Sequence, residues 1–174
     1  MFKLAVRTIL LVLLAISSAV ACGDKLLVSG HGVNFALIHK SSSPASILIY
    51  MNPASQLPAA EKDVQLQTVL KLAGHKPIPI ASRAELTRAL TSGSYDVVLV
   101  DYSDARVLKS EIETASGSPV LLPLLYKPNK DQLAAAEKQF SCAVKADRNN
   151  RILKVLDDAM KSKQKGAPAH CQPA

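Results

Sequence analysis

The chain has 174 residues, a formal net charge of +7 and 48% hydrophobic residues, of which few are aromatic. That length suits one domain with a substantial core. Apart from Lys161-Ser162-Lys163-Gln164-Lys165, which reads as a solvated tail, the basic residues are spread along the chain and are not interleaved with aromatics, which argues against a nucleic-acid-binding surface.

The first residues read as an export signal. Lys3 and Arg7 precede an apolar run from Ile9 to Ile16, and Ser17-Ser18-Ala19-Val20-Ala21 ends in small residues. A basic start, a short apolar stretch and a small-x-small ending predict a signal peptide over residues 1–21. The run is too short to cross ~30 Å of hydrocarbon as a transmembrane helix. Without these residues 153 remain, with 19 basic and 14 acidic, a net charge of +5.

Cleavage after Ala21 leaves Cys22 first. Two readings stand open there. Cys22 takes a lipid and associates the protein with a membrane, although Ala19 stands where lipoprotein signals usually carry Leu. Alternatively, it is an ordinary exported cysteine. The other cysteines are Cys142 and Cys171. In an oxidising compartment they form an even pair if Cys22 is modified, but sequence leaves all three pairings open.

Residues 22–44 read as an N-terminal extension and linker. Leu26-Leu27-Val28 and Val33 to Ile38 predict short strands around the turn Gly30-His31-Gly32, and Ser41-Ser42-Ser43-Pro44 has linker composition. From Ala45 to Lys161 strand and helix patterns alternate. Ser46 to Tyr50 is a continuous apolar run, as in a strand buried on both faces. Leu57 to Ala73 predicts one helix with Leu66, Val69, Leu70 and Ala73 on its apolar stripe and Gly74 at its end. Pro77-Ile78-Pro79-Ile80 predicts an edge strand, because proline cannot donate to a ladder on both sides.

Ser82 and Glu85 form a capping box for the next helix. Asp96 to Asp101 is a buried strand, Asp104 to Ala115 a helix, and Pro119 to Tyr126 a strand interrupted by Pro123, where pairing must pass to one side. Lys130 to Phe140 is Ala-rich and helical. Ser141 to Val144 is a short apolar strand. Arg148 to Lys161 is the last helix, with Ile152, Leu153, Leu156, Ala159 and Met160 on one face. Residues 162–174 are expected to be a flexible tail unless Cys171 ties them down.

Five strand-helix units at this spacing predict a three-layer α/β/α sandwich with a five-stranded parallel sheet of order 2-1-3-4-5, plus the short N-terminal β extension. In such folds ligands meet the C-terminal edge of the sheet. Asn52, Asp101, Tyr102 and Lys145 are the candidate residues there. Their plain structural reading is an Asp101–Lys145 ion pair with no ligand. Tyr50, Tyr102 and Tyr126 fall near strand ends, where tyrosines can line a small pocket.

Ile47-Leu48-Ile49-Tyr50-Met51-Asn52, Asp96-Val97-Val98-Leu99-Val100-Asp101 and Ala143-Val144-Lys145-Ala146 together resemble the receiver domain of bacterial response regulators, over residues 45–161. The resemblance implies a flavodoxin-like fold, with Asp101 at the phosphoacceptor position and Lys145 at the phosphate-contacting lysine. The remaining positions depart from the family. Its magnesium-holding acidic pair is replaced by Met51 and Asn52, its hydroxyl residue by Leu124 and its aromatic switch by Cys142. Phosphoryl transfer needs a cation to neutralise developing charge, and methionine offers a hard cation no oxygen.

Other chemistry is unsupported. His31, His39, His75 and His170 have no zinc-type spacing, and no GxSxG elbow occurs. No metal and no cofactor is expected. The composite expectation is a non-catalytic envelope interaction module, periplasmic or lipid-anchored, with a protein or small ligand as partner. The alternatives are a periplasmic ligand binder using the C-terminal sheet edge and, third, a phosphoacceptor.

Overall fold

The computed structural model describes residues 40–167 and Cys171. Residues 1–39, including the expected signal peptide, Cys22 and the short N-terminal β extension, lie outside the described residues, as do His31, His39 and His170.

Five strands form one parallel sheet: β1 (Ser46–Tyr50), β2 (Lys76–Ile80), β3 (Val97–Asp101), β4 (Val120–Leu125) and β5 (Val144–Lys145), in the order β2-β1-β3-β4-β5. Six helices flank it: α1 (Leu57–Val64), α2 (Leu66–Leu72), α3 (Arg83–Ser92), α4 (Tyr102–Glu113), α5 (Lys130–Gln139) and α6 (Asn149–Gln164). The three-layer α/β/α architecture and strand order agree with the sequence pattern.

Strand alternation divides the core. Ile47, Ile49, Val97, Leu99, Leu122 and Leu124 face the layer of α1, α2 and α6. Leu48, Tyr50, Val98 and Val100 face α3, α4 and Phe140. Every residue of β3 is buried, as a central parallel strand requires. The edges are blunted. β2 carries Pro77 and Pro79 and pairs only with β1, and β5 has two residues. Pro123 lies opposite Val100 of β3, while pairing with β5 begins one residue later, at Leu124. The ladder thus passes to one side at the proline.

The expected single helix over 57–73 is two helices. Gln65 takes a left-handed conformation (φ 48°), and α2 restarts beyond it. The cause is a phase slip. At ~100° per residue, the buried set Leu57, Ala60, Val64 lies roughly opposite the set Leu66, Val69, Leu70 on one continuous helix. Breaking at Gln65 buries both sets in the same layer. The Glu61 carboxylate accepts the freed Gln67 N–H at 3.1 Å. Gly74 (φ 93°) then supplies the left-handed residue after α2.

Both ends of the domain are fastened where the sequence suggests looseness. The segment read as a linker is held: Ser41 N–H donates to Ala73 O at 2.8 Å, Ser41 Oγ–H to Asp157 Oδ1 at 2.5 Å, and the Gln164 amide to Ser43 Oγ. At the other end α6 runs to Gln164, into the expected tail. Cys171 is buried and bonded to Cys142, with Cα atoms 4.9 Å apart. A disulfide is compatible with an oxidising compartment. Among the described residues no helix is long and apolar enough to cross a membrane.

His75, 4% exposed, anchors the entry to β1. Its Nδ1 accepts the Ala45 N–H at 3.2 Å, so the neutral ring carries its proton on Nε2, which is buried without a partner. Burial lowers its pKa, against a smaller opposing pull from Asp157. Below the ordinary histidine value near 6.5 the unfolded chain therefore binds more protons than the folded one, and stability falls as pH falls. Thermal melting across pH 7.5 to 5.5 is expected to show this loss. His75→Gln, whose side-chain oxygen still accepts from Ala45, is expected to flatten it; equal pH slopes in both proteins would exclude the ring as the titrating group.

Candidate functional site

The four candidate residues sit at the C-terminal edge of the sheet. Asp101 ends β3, Lys145 ends β5, Asn52 follows β1 by two residues and Tyr102 opens α4. Their side chains nevertheless diverge.

Asp101 is 6% exposed, and its carboxylate is committed to hydrogen bonds inside the fold. Oδ1 accepts the Ser103 N–H at 2.9 Å and the Ser103 Oγ–H at 2.6 Å, making Asp101 the N-cap of α4. Oδ2 accepts the Gln56 N–H at 3.2 Å. Gln56 is the N-cap of α1, whose own side chain makes no cap. One carboxylate thus serves the starts of two helices, where unpaired N–H groups and the helix dipole favour negative charge.

The expected Asp101–Lys145 ion pair does not form among the described residues. Lys145 Nζ lies 3.2 Å from Asp147 Oδ2, two residues along its own chain. Asp147 is also held by Arg151, at 2.7 Å. Asp101 does not need a cation, because charge-assisted N–H and O–H donors already compensate it. Lys145 is partly exposed and takes the nearest carboxylate.

The tyrosines do not converge on a pocket. Tyr102 packs edge-on against Phe140, with ring centroids 5.9 Å apart, and its hydroxyl donates to Gln139 Oε1. Tyr50 is buried in the α3–α4 layer. Tyr126 bonds Asp63, while Lys127 lies over its ring.

Asn52 has a partner that sequence reading overlooked. Its amide donates to Asp104 Oδ1 at 2.9 Å. Asp104 Oδ2 is buried with no partner. Desolvation raises the Asp104 pKa; the Asn52 hydrogen bond opposes this, Asp101 adds to it, and Arg83 opposes it more weakly. The signal was present in the sequence: Asp104 stands three residues after Asp101, within reach of the same edge on one helical turn. Its reading as a mere helix start hid it.

These groups can cap helices and hold one polar group beside Asp104. Among the described residues no three metal-ligating side chains gather. A surface groove of about 470 Å³ opens beside the edge, lined by Ser103, Arg106, Val107 and Gln139.

Two predictions follow from this hydrogen bonding. Asp101→Ala removes a cap and leaves the Gln56 N–H unpaired, and is expected to cost about 2–3 kcal/mol in urea unfolding. Lys145→Ala is expected to cost under about 1 kcal/mol. The double variant should be additive within about 0.5 kcal/mol, whereas a larger coupling would restore the direct pair. Asp104→Asn keeps an acceptor for Asn52 and removes a desolvated charge, so it should raise Tm at pH 7. Because the folded pKa is raised, wild type regains stability as pH falls through that pKa. The advantage of the variant should therefore shrink toward pH 4; a constant difference would show that the charge is not the cause.

No protein-family model, curated protein or solved structure matches the chain significantly.

Proposed function

We propose that the protein is a non-catalytic interaction module of the bacterial envelope, built on a degenerate receiver-like domain. The observation that carries this reading is the commitment of Asp101: both carboxylate oxygens accept hydrogen bonds from the fold itself. A phosphoacceptor must offer one of those oxygens to an incoming phosphoryl group with a cation beside it. Here Met51 and Asn52 stand where the family holds its magnesium, and Lys145 is turned to Asp147. The groove between α4 and α5, with Val107 at 73% exposure, gives a protein partner an apolar contact flanked by Arg106 and Gln139.

The export reading rests on residues 1–21 and is supported by the Cys142–Cys171 bond. It places the module in the periplasm or, through lipid on Cys22, on a membrane. A small-ligand reading has one observation in its favour, the unpartnered Oδ2 of Asp104 beside Asn52.

Beryllium fluoride with magnesium tests the phosphoacceptor alternative directly. The expected result is an unchanged Tm. A shift that Asp101→Asn abolishes would establish a working acceptor site and overturn the non-catalytic reading. Intact-mass measurement on protein from the membrane fraction tests the anchor: the expected mass is that of residues 22–174 plus lipid, and an unmodified Cys22 would reject lipid attachment.

A further inference from the structure

The outer layer formed by α1, α2 and α6 carries a band of exposed lysines. There the solvent face of α6 carries Lys154 and Lys161, and Lys165 caps its C-terminal end, all exposed. At ~100° per residue they fall within a band of roughly 40° along the helix. Lys71 and Leu72 stand on the exposed side of neighbouring α2, and Lys40 lies at the start of the described chain. Among the described residues none of these lysines is in an ion pair.

Two carboxylates of α6, Asp157 and Asp158, offset part of this charge. Asp157 is bound by the Ser41 hydroxyl, and Asp158 is the remaining acid next to the lysine band. Leu72 is 50% exposed, an uncommon position for a large apolar side chain in this domain. A basic band with an exposed leucine beside it suits a surface that is anionic at its rim and apolar beneath.

A second observation bears on the same face. The lead-in chain reaches the domain here: Ser41 is fastened between Ala73, at the end of α2, and Asp157, midway along α6. Eighteen residues separate Ser41 from Cys22, a span of at most about 68 Å when fully extended. An anchor at Cys22 would hold the domain within that distance of the membrane.

We infer that the α2–α6 face, through Lys71, Leu72, Lys154, Lys161 and Lys165, docks on an anionic lipid surface. The inference takes its biological setting from the lipid-anchor reading, but the contact itself needs no lipid on Cys22. A basic patch is attracted to anionic head groups whether or not an anchor is present, and it selects which face meets them. This orientation turns the α4–α5 groove, on the opposite layer, away from the membrane and toward partners.

The test uses the full mature chain carrying Cys22→Ser, so that no lipid contributes. Co-sedimentation with phosphatidylcholine vesicles, with and without phosphatidylglycerol, is expected to show binding only when phosphatidylglycerol is present, weakening as salt rises. Combining Lys154→Glu, Lys161→Glu and Lys165→Glu should weaken that binding about tenfold or more. Combining Arg88→Glu, Arg106→Glu and Lys138→Glu, an equal charge change on the opposite layer, should leave it within about twofold. Melting curves verify that both variants are folded; should the first fail, the corresponding Lys→Gln set replaces it, with a smaller loss expected.

Three outcomes overturn the inference: no binding to phosphatidylglycerol vesicles, equal loss in the two charge-reversed variants, or tighter binding to heparin than to vesicles at the same salt. The last would point to a soluble polyanion instead. The mass of Cys22 in the untreated protein is measured separately, so failure of the anchor reading and failure of the docking face give different results.

Discussion

The carboxylate of Asp101 ties β3 and the helix that follows it to the start of α1, 45 residues earlier in the chain. It ends the central strand β3, caps α4 and accepts the N–H that opens α1. A buried charge is tolerated only when donors replace the water it loses. Here the donors are two backbone N–H groups at helix starts and one hydroxyl, and each needs an acceptor as much as the carboxylate needs a donor. Asp96, just before β3, does similar work at the opposite end of the sheet. Its Oδ2 accepts the Ser46 N–H at 2.9 Å and its Oδ1 meets Lys163 of α6 at 3.2 Å. The two acids thus fix β3 against the first residue of β1 and against the segment that follows β1.

This arrangement explains why proximity at the sheet edge does not produce a reactive site. Parallel topology delivers Asp101, Lys145, Asn52 and the tyrosines to one rim, because every strand ends there. It does not decide which atoms meet. Once Asp101 is satisfied by local donors, Lys145 gains little by desolvating itself to reach it, and the exposed Asp147 costs less. Asp104 is the residue the arrangement leaves least satisfied. Its Oδ1 accepts from Asn52, but its Oδ2 has no partner, and it shares its surroundings with a second acid.

The legible part of the fold was the part governed by periodicity. Apolar runs at Ser46–Tyr50 and Val97–Asp101, prolines in Lys76–Ile80 and the Ser82–Glu85 capping box each depend on a few neighbouring residues, and each stands where its pattern placed it. The break at Gln65 was also written in the sequence, as a half-turn slip between two apolar sets, but it is visible only when the phase of the stripe is followed through the helix rather than counted within one window. The partners of Asp101 were not legible. They depend on where the loop after β1 turns and on whether Ser103 offers its hydroxyl inward, and both are tertiary outcomes.

The same distinction applies to the chain ends. Ser41 to Pro44 has the composition of a free linker, and residues 162–167 that of a solvated tail. Composition records what a segment lacks, not what it meets. Ser41 meets an uncapped carbonyl at Ala73 and a carboxylate at Asp157; Ala45 meets the one ring nitrogen of His75 able to accept its N–H. Beyond α6, Cys171 meets Cys142 ahead of β5, closing a loop of 29 residues in sequence around the weakest-paired strand. A strand of two residues contributes few ladder bonds, so a covalent tie beside it restrains the unfolded chain where the sheet itself offers least. Order at the margins of this domain therefore comes from a few specific polar and covalent contacts, and those contacts place the lead-in segment on the α2–α6 face and no other.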